Sequence, residues 1–157
     1  MIIRKTKISL ISLLFAAITL GSNSALAHSD GVIRIKSNNS VSTTIDILER
    51  ALSKKGMTIF KRINHAQGGK KVGINIRPTE LLIFGNPNIG TKLMQCGQTA
   101  ALDLPQKALS YEDKMGQVWL LYNDPDYMAA RHQLVNCEKV VKKISNALAH
   151  FAKLATE

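Results

Sequence analysis

Cysteine is nearly absent, with two among 157 residues. That excludes a disulfide-dense mini-scaffold and a four-thiolate zinc module. Aromatic residues make up only 5% of the chain, with a single Trp. Acidic residues are scarce: 11 Asp+Glu stand against 21 Lys+Arg, a formal net charge of +10. With 20% charged and 45% hydrophobic residues, the chain is not of the disordered class. Its length leaves no room for a two-domain enzyme. Several catalytic signatures are also missing. There is no G-x-S-x-G elbow, no H-E-x-x-H and no C-x-x-C-H, so nothing marks a serine hydrolase, a zinc protease or a haem attachment site.

What is present begins with a compartment signal. Arg4, Lys5 and Lys7 form a positive start, and Ile8 to Leu20 is apolar apart from Ser9, Ser12 and Thr19. Ala25-Leu26-Ala27 then supplies a small-x-small cleavage site. This order is that of a secretory signal peptide, and the apolar run is shorter than the ~20 residues of a spanning helix. The expectation is cleavage after Ala27 and export to the periplasm or beyond. The mature chain, 28–157, would be a single domain. Loss of Arg4, Lys5 and Lys7 would bring its net charge from +10 to +7. No later segment is apolar enough to span a bilayer.

Along that domain, Val32-Ile33-Arg34-Ile35-Lys36 alternates as a strand does. Ser40 is placed as an N-cap before Val41, Ile45, Leu48 and Leu52, an apolar stripe at helical spacing, and Gly56 stands where a C-terminal glycine is wanted. Met57 to Ile63 reads as a second strand, with Met57, Ile59 and Ile63 on one face. Asn64 to Arg77 is looser, with room for one short helix. Leu81-Leu82-Ile83-Phe84 is a continuous apolar run that suggests a strand buried on both faces. Gly85 to Gly90 reads as a loop, and Thr91 to Cys96 as a helical turn or two. Ala108–Glu112 and Val118–Tyr122 form a hairpin around Asp113–Gly116. Asp124-Pro125 starts a short helix. Cys137, Val141, Ile144, Leu148 and Phe151 mark the last helix, with Val140 and Leu154 widening the stripe. The order β-α-β-β-β-β-α predicts an α+β fold: a mostly antiparallel sheet covered on one face by two helices.

Three blocks carry a family resemblance. They are Arg77-Pro78-Thr79-Glu80-Leu81-Leu82-Ile83-Phe84-Gly85-Asn86-Pro87 with Gly90-Thr91-Lys92-Leu93-Met94-Gln95, Leu102-Asp103-Leu104-Pro105-Gln106-Lys107-Ala108-Leu109, and Val118-Trp119-Leu120-Leu121-Tyr122-Asn123-Asp124-Pro125. The chain resembles the family named "domain of unknown function 302" from about Gly31 to the final helix. The resemblance implies a β-α-β(4)-α fold of the TATA-binding-protein-like type. It implies no activity and no catalytic residues.

The candidate chemistry is sparse. Gly85 to Lys92 comes near a phosphate-binding G-x-x-x-x-G-K-[ST] loop, but Thr91 and Lys92 stand in reversed order, which misplaces both groups. A plain turn is one reading. An anion or small-ligand cradle of backbone N–H groups with Lys92 is the other. Cys96 and Cys137, in an oxidising compartment, are the expected disulfide; closing about 40 residues is worth roughly 3–4 kcal/mol in the chain-entropy model. Two reduced thiols, or a redox pair without C-x-x-C spacing, are the alternatives. His28, as the first mature residue, offers Cu(II) an amine and an imidazole, with His65 or His132 as a second ligand. His65 and His132 otherwise read as surface or capping residues beside polar turns, and Asn123, Asp124 and Asp126 as a helix start rather than a cation loop. The spread of Lys and Arg fits an anionic envelope surface better than nucleic acid, which an exported domain rarely meets.

The leading expectation is an exported, non-catalytic binding or accessory domain without a cofactor. It would hold a small or anionic ligand in a crevice between Gly85, Asn86, Gly90, Thr91 and Lys92, the His65 region, and Asn123, Asp124 and His132. The alternatives are an envelope redox or metal-linked enzyme using Cys96 or His28, and a structural homodimer joined across a sheet edge.

Overall fold

The computed structural model describes residues 30–157. The cleavage site after Ala27 and the copper candidate His28 lie outside the described residues. The elements are β1 (Val32–Ser37), α1 (Val41–Lys54), β2 (Thr58–Asn64), α2 (His65–Lys71), β3 (Thr79–Gly85), α3 (Pro87–Cys96), a 3-10 turn (Gln98–Leu102), β4 (Gln106–Glu112), β5 (Val118–Asn123), α4 (Pro125–Arg131) and α5 (Glu138–Thr156).

Local chemistry sets the first helix. The Ser40 side chain accepts a hydrogen bond from the Thr43 N–H at 3.2 Å, satisfying one of the free donors of the first turn. Val41, Ile45, Leu48 and Leu52 are all buried. The chain leaves the helix through Gly56 at φ +72°, a conformation that a side chain disfavours. A buried hydroxyl pair, Ser37 with Thr44 at 2.7 Å, ties β1 to α1.

The five strands form one antiparallel sheet in the order β1-β5-β4-β3-β2. Strand periodicity sends Leu82 and Phe84 of β3, Ala108 of β4, and Leu120 and Tyr122 of β5 to one face, where they are buried. Helices α1 and α5 pack against each other on that face. Val141, Ile144, Leu148 and Phe151 of α5 close the core. The fold is therefore α+β with two main helices on one side of an antiparallel sheet, as the order of elements predicts. Among the described residues no helix is long and apolar enough to cross a membrane.

Several local expectations are corrected. The run Leu81–Phe84 is not buried on both faces: Leu82 and Phe84 are buried, whereas Leu81 and Ile83 are only partly buried on the other face. An irregularity between Ile59 and Lys61 shifts the register of β2, so a strict period of two fails there. Ile59 is paired with Phe84 and Ile63 with Leu81, so the two sit on opposite faces. The supposed loop Gly85–Gly90 already contains the first turn of α3. Asn86 is its N-cap, accepting from the Asn88 N–H at 3.0 Å, and Pro87 occupies the first helical position. On α5, Leu154 is 47% exposed; Ala152 and Ala155 widen the buried stripe instead.

Candidate functional site

Helix α3 leaves the end of β3 and reaches toward α5. Its last residue, Cys96, is bonded to Cys137, the N-cap of α5, with Cα atoms 6.1 Å apart. No free cysteine remains. This bond fastens α3 as a wall beside α5. Between α3, α5 and the ends of β3 and β4 lies a cavity of about 330 Å³. Phe84, Leu93, Leu104, Ile144, Leu148 and Phe151 make it predominantly apolar.

Four polar residues interrupt this wall: Gln106, Lys55, Lys143 and Asn86, whose side chain caps α3. Gln106 pairs with Phe84 across the sheet and is 7% exposed, and its Oε1 has no hydrogen-bond partner. Buried side-chain acceptors are usually satisfied. Lys55, just after α1, and Lys143, on α5, also line the cavity and are exposed. The arrangement offers an apolar slot, one unsatisfied amide oxygen and two cations. A second hollow of about 300 Å³, lined by Phe60, Pro87, Thr91, Met94 and Pro105, lies along α3 and shares Asn86, Gly90 and Leu104 with the first.

The expected crevice is only partly realised. Asn86 and Gly90 line the main cavity, and Thr91 lines the second hollow. Gly85 ends β3 beside Phe60, and Lys92 is an exposed residue of α3. His65 does not join them. It opens α2 directly after Asn64, which pairs with Glu80 near the start of β3; Gly85 is at the strand's other end, on the order of 17 Å away at strand rise. Asn123 closes β5, paired with Val32. The Asp124 carboxylate caps α4, accepting from the Asp126 N–H at 2.9 Å. None of these three lines the cavity.

His132 is the C-cap of α4, in keeping with the capping reading, but it is not a surface side chain. Its side chain is 5% exposed; Nε2 lies 2.7 Å from Asp103 Oδ2 and Nδ1 lies 3.2 Å from Thr99 Oγ1. Both ring nitrogens are engaged, so it is poorly placed as a copper ligand. Arg131 also meets Asp103, at 3.2 Å. This cluster joins α4 to the segment before β4. A second polar cluster holds the edge strand β2. Arg62 contacts Glu80 and Asp46, and Asn64 Nδ2 donates to Glu80 Oε1 at 3.0 Å. Burial alone would lower the Arg62 pKa; its hydrogen bonds to Asp46 and Glu80 outweigh this and raise it. Among the described residues no group of three or more His, Cys, Asp or Glu is placed to hold a metal ion.

Sequence reasoning missed Gln106, Lys55, Lys143 and the whole α5 wall of the cavity. A signal for Gln106 existed. It continues the inward parity of Ala108 and Ser110, so a polar amide stands at a core position.

The model of the family described as "Domain of unknown function DUF302" matches residues 33–151. The chain belongs to the DUF302 family. The fold agrees with the crystal structure of an uncharacterised conserved DUF302 protein from Bacillus stearothermophilus. That chain is matched at a TM-score of 0.72 over 81% of this chain and 99% of the other, with 16% identity. Such a likeness speaks for the fold alone. Curated relatives include "Fluoride-specific ion channel FluC 1" of Brucella suis biovar 1 (strain 1330) and of Brucella abortus biovar 1 (strain 9-941). Each is 46% identical over 104 residues, which cover 66% of this chain. Those residues amount to 41% and 38% of the two relatives, so the DUF302 chain spans about two-fifths of their length.

Proposed function

We propose that this DUF302 protein is an exported, non-catalytic binding domain that holds a small amphiphilic anion in the cavity between α3 and α5. The observation that carries the reading is the cavity wall: apolar side chains with Gln106, whose buried oxygen lacks a partner, and with Lys55 and Lys143 on the same lining. A volume of about 330 Å³ is at the small end of ligand pockets, which run roughly 300–1,000 Å³. An apolar body entering it gains about 25 cal/mol per Å² removed from water. Gln106 lines the cavity with its oxygen buried, so a donor on that body relieves the unsatisfied burial, a cost of roughly 1–3 kcal/mol, once the amide turns to face it. An anionic head meets the two lysines, an attraction weakened by salt.

Export rests on the N-terminal signal pattern and is supported by the Cys96–Cys137 disulfide, a bond of oxidising compartments. The channel activity named for the Brucella relatives is not carried over, because the match covers less than half of those chains.

The test uses 8-anilinonaphthalene-1-sulfonate as the amphiphilic probe. Saturable one-site binding is expected, displaced by dodecanoate and not by dodecyltrimethylammonium. Ala147 is exposed and lines the cavity, so Ala147→Trp fills the mouth without overpacking the core. That variant should bind about tenfold or more weakly, a loss of ~1.4 kcal/mol, at an unchanged melting temperature. Equal binding by Ala147→Trp, or no binding by the wild type, rejects the cavity.

A further inference from the structure

Away from the cavity, the exposed apolar residues are unevenly placed. Of the nine large apolar side chains exposed among the described residues, four gather at one end of the sheet. Val72, Ile74 and Ile76, exposed by 72%, 60% and 46%, lie in the segment that follows α2. Met115, 89% exposed, is at the tip of the β4–β5 turn. The two pieces are held together. Arg77 Nε donates to the Glu112 carbonyl at 3.1 Å, and the Glu112 N–H donates to the Pro78 carbonyl at 3.0 Å.

The charge of this end is mainly positive, with Glu112 and Asp113 at the base of the β4–β5 turn as acidic exceptions. Residues 65–78 contain Lys70, Lys71 and Arg77 and no Asp or Glu, and Lys114 flanks Met115. The three lysines are exposed. The Asp113 carboxylate is engaged within its own turn, accepting from the Trp119 Nε1–H at 2.8 Å and from the backbone N–H groups of Met115 and Gln117.

We propose that this end, the 65–78 segment with the β4–β5 turn, is a docking surface for an anionic phospholipid bilayer. Protruding aliphatic side chains among lysines suit the headgroup–acyl boundary, where apolar atoms leave water and ammonium groups meet phosphates. A second copy of the chain is a poor occupant, because it brings Lys70, Lys71, Arg77 and Lys114 against the same cations. An acidic protein surface would meet the lysines but leave four aliphatic side chains in water.

Flotation with vesicles tests this, using the chain from His28 onward, which holds every element of the described fold. Binding is expected to vesicles of phosphatidylglycerol with phosphatidylcholine, to fall with salt, and to be absent with phosphatidylcholine alone. Each lysine near an anionic leaflet strengthens partitioning about fivefold. Lys70→Glu with Lys71→Glu should therefore weaken binding about 25-fold or more. Ile74→Ser with Ile76→Ser should weaken it at constant charge. Lys139→Glu with Lys142→Glu, exposed on α5, makes the same change of net charge and should leave binding within about twofold. Ala147→Trp should leave it unchanged, so failure of the cavity and failure of this surface are separate results. Equal losses in the two lysine pairs, equal binding to neutral vesicles, or no binding would overturn the proposal. So would a lipid-independent dimer that Ile74→Ser with Ile76→Ser dissolves.

Discussion

Gln106 is the residue at which stability and binding pull in opposite directions. Its oxygen is buried without a partner, so the empty protein bears a cost that an apolar side chain of similar volume would not. Gln106→Met should raise the melting temperature of the unliganded protein, by the equivalent of about 1 kcal/mol, and weaken 8-anilinonaphthalene-1-sulfonate. A variant that lost both stability and affinity would make Gln106 a plain packing residue. Arg62 shows the opposite logic. Removing it leaves Glu80, whose side chain is 9% exposed, with only Asn64 as a side-chain partner. The Asp46 end of the pair is 43% exposed and well screened. Arg62→Ala should therefore cost about 1–3 kcal/mol in urea unfolding, below the 3–5 of a fully buried pair. Asp113 adds a pH dependence. Its hydrogen bond from Trp119 holds the carboxyl below its usual pKa against the opposing effect of burial. A lowered folded pKa stabilises above the ordinary carboxylate value of about 3.9, and that stability is lost as pH falls through the lower folded value. The difference in melting temperature between pH 7 and pH 3 should accordingly shrink in Trp119→Phe.

At the scale of elements, α3 depends on what fastens it. Asn86 and Pro87 start it, and the Cys96–Cys137 bond holds its end against α5 across 41 residues. Loop-closure entropy puts the bond at roughly 3–4 kcal/mol. Cys96→Ser with Cys137→Ser should lose most of that in chemical unfolding and, with the wall released, weaken the anilinonaphthalene probe as well. Unchanged stability would mean that packing of Leu93 alone seats α3. What was legible here followed from chemistry close in sequence. Ser40, Gly56 and Asp124-Pro125 announced helix ends because caps act over three or four residues. The disulfide was legible because only two thiols exist. The β2 bulge was not, since an extra residue depends on what β3 places opposite it. Nor was the start of α3, where Asn86-Pro87 carried the same cap-and-proline signal as Asp124-Pro125 but stood beside glycines that suggested a loop.

For the whole molecule, the cavity was illegible because no single segment builds it. Phe84, Gln106 and Phe151 come from β3, β4 and α5, and only the sheet order brings them together. His65 and Gly85 read as parts of one site because both lie among polar and glycine-rich residues, yet they bracket the length of β3. The proposed location rests on the segment ending at Ala27, and it makes a prediction that joins that segment to the fold. An exported protein recovered from the cell envelope should begin at His28, and Cys96 and Cys137 should resist alkylation until a reductant is added. Intact mass measured with and without reduction reads both at once: the loss of everything up to Ala27, and a gain of two hydrogen atoms when the reductant opens one bond. The same protein retained in the cytosol by deleting Ile2 through Ala27 should yield alkylated thiols and a lower melting temperature, because that compartment keeps thiols reduced. Envelope material that still began at Met1, with both thiols free, would reject export. Apart from the Met1 that the deletion leaves before His28, release of the α3 wall is then the difference between the two preparations, so a gap in probe affinity that closes when the exported form is reduced measures what the bond contributes to the cavity.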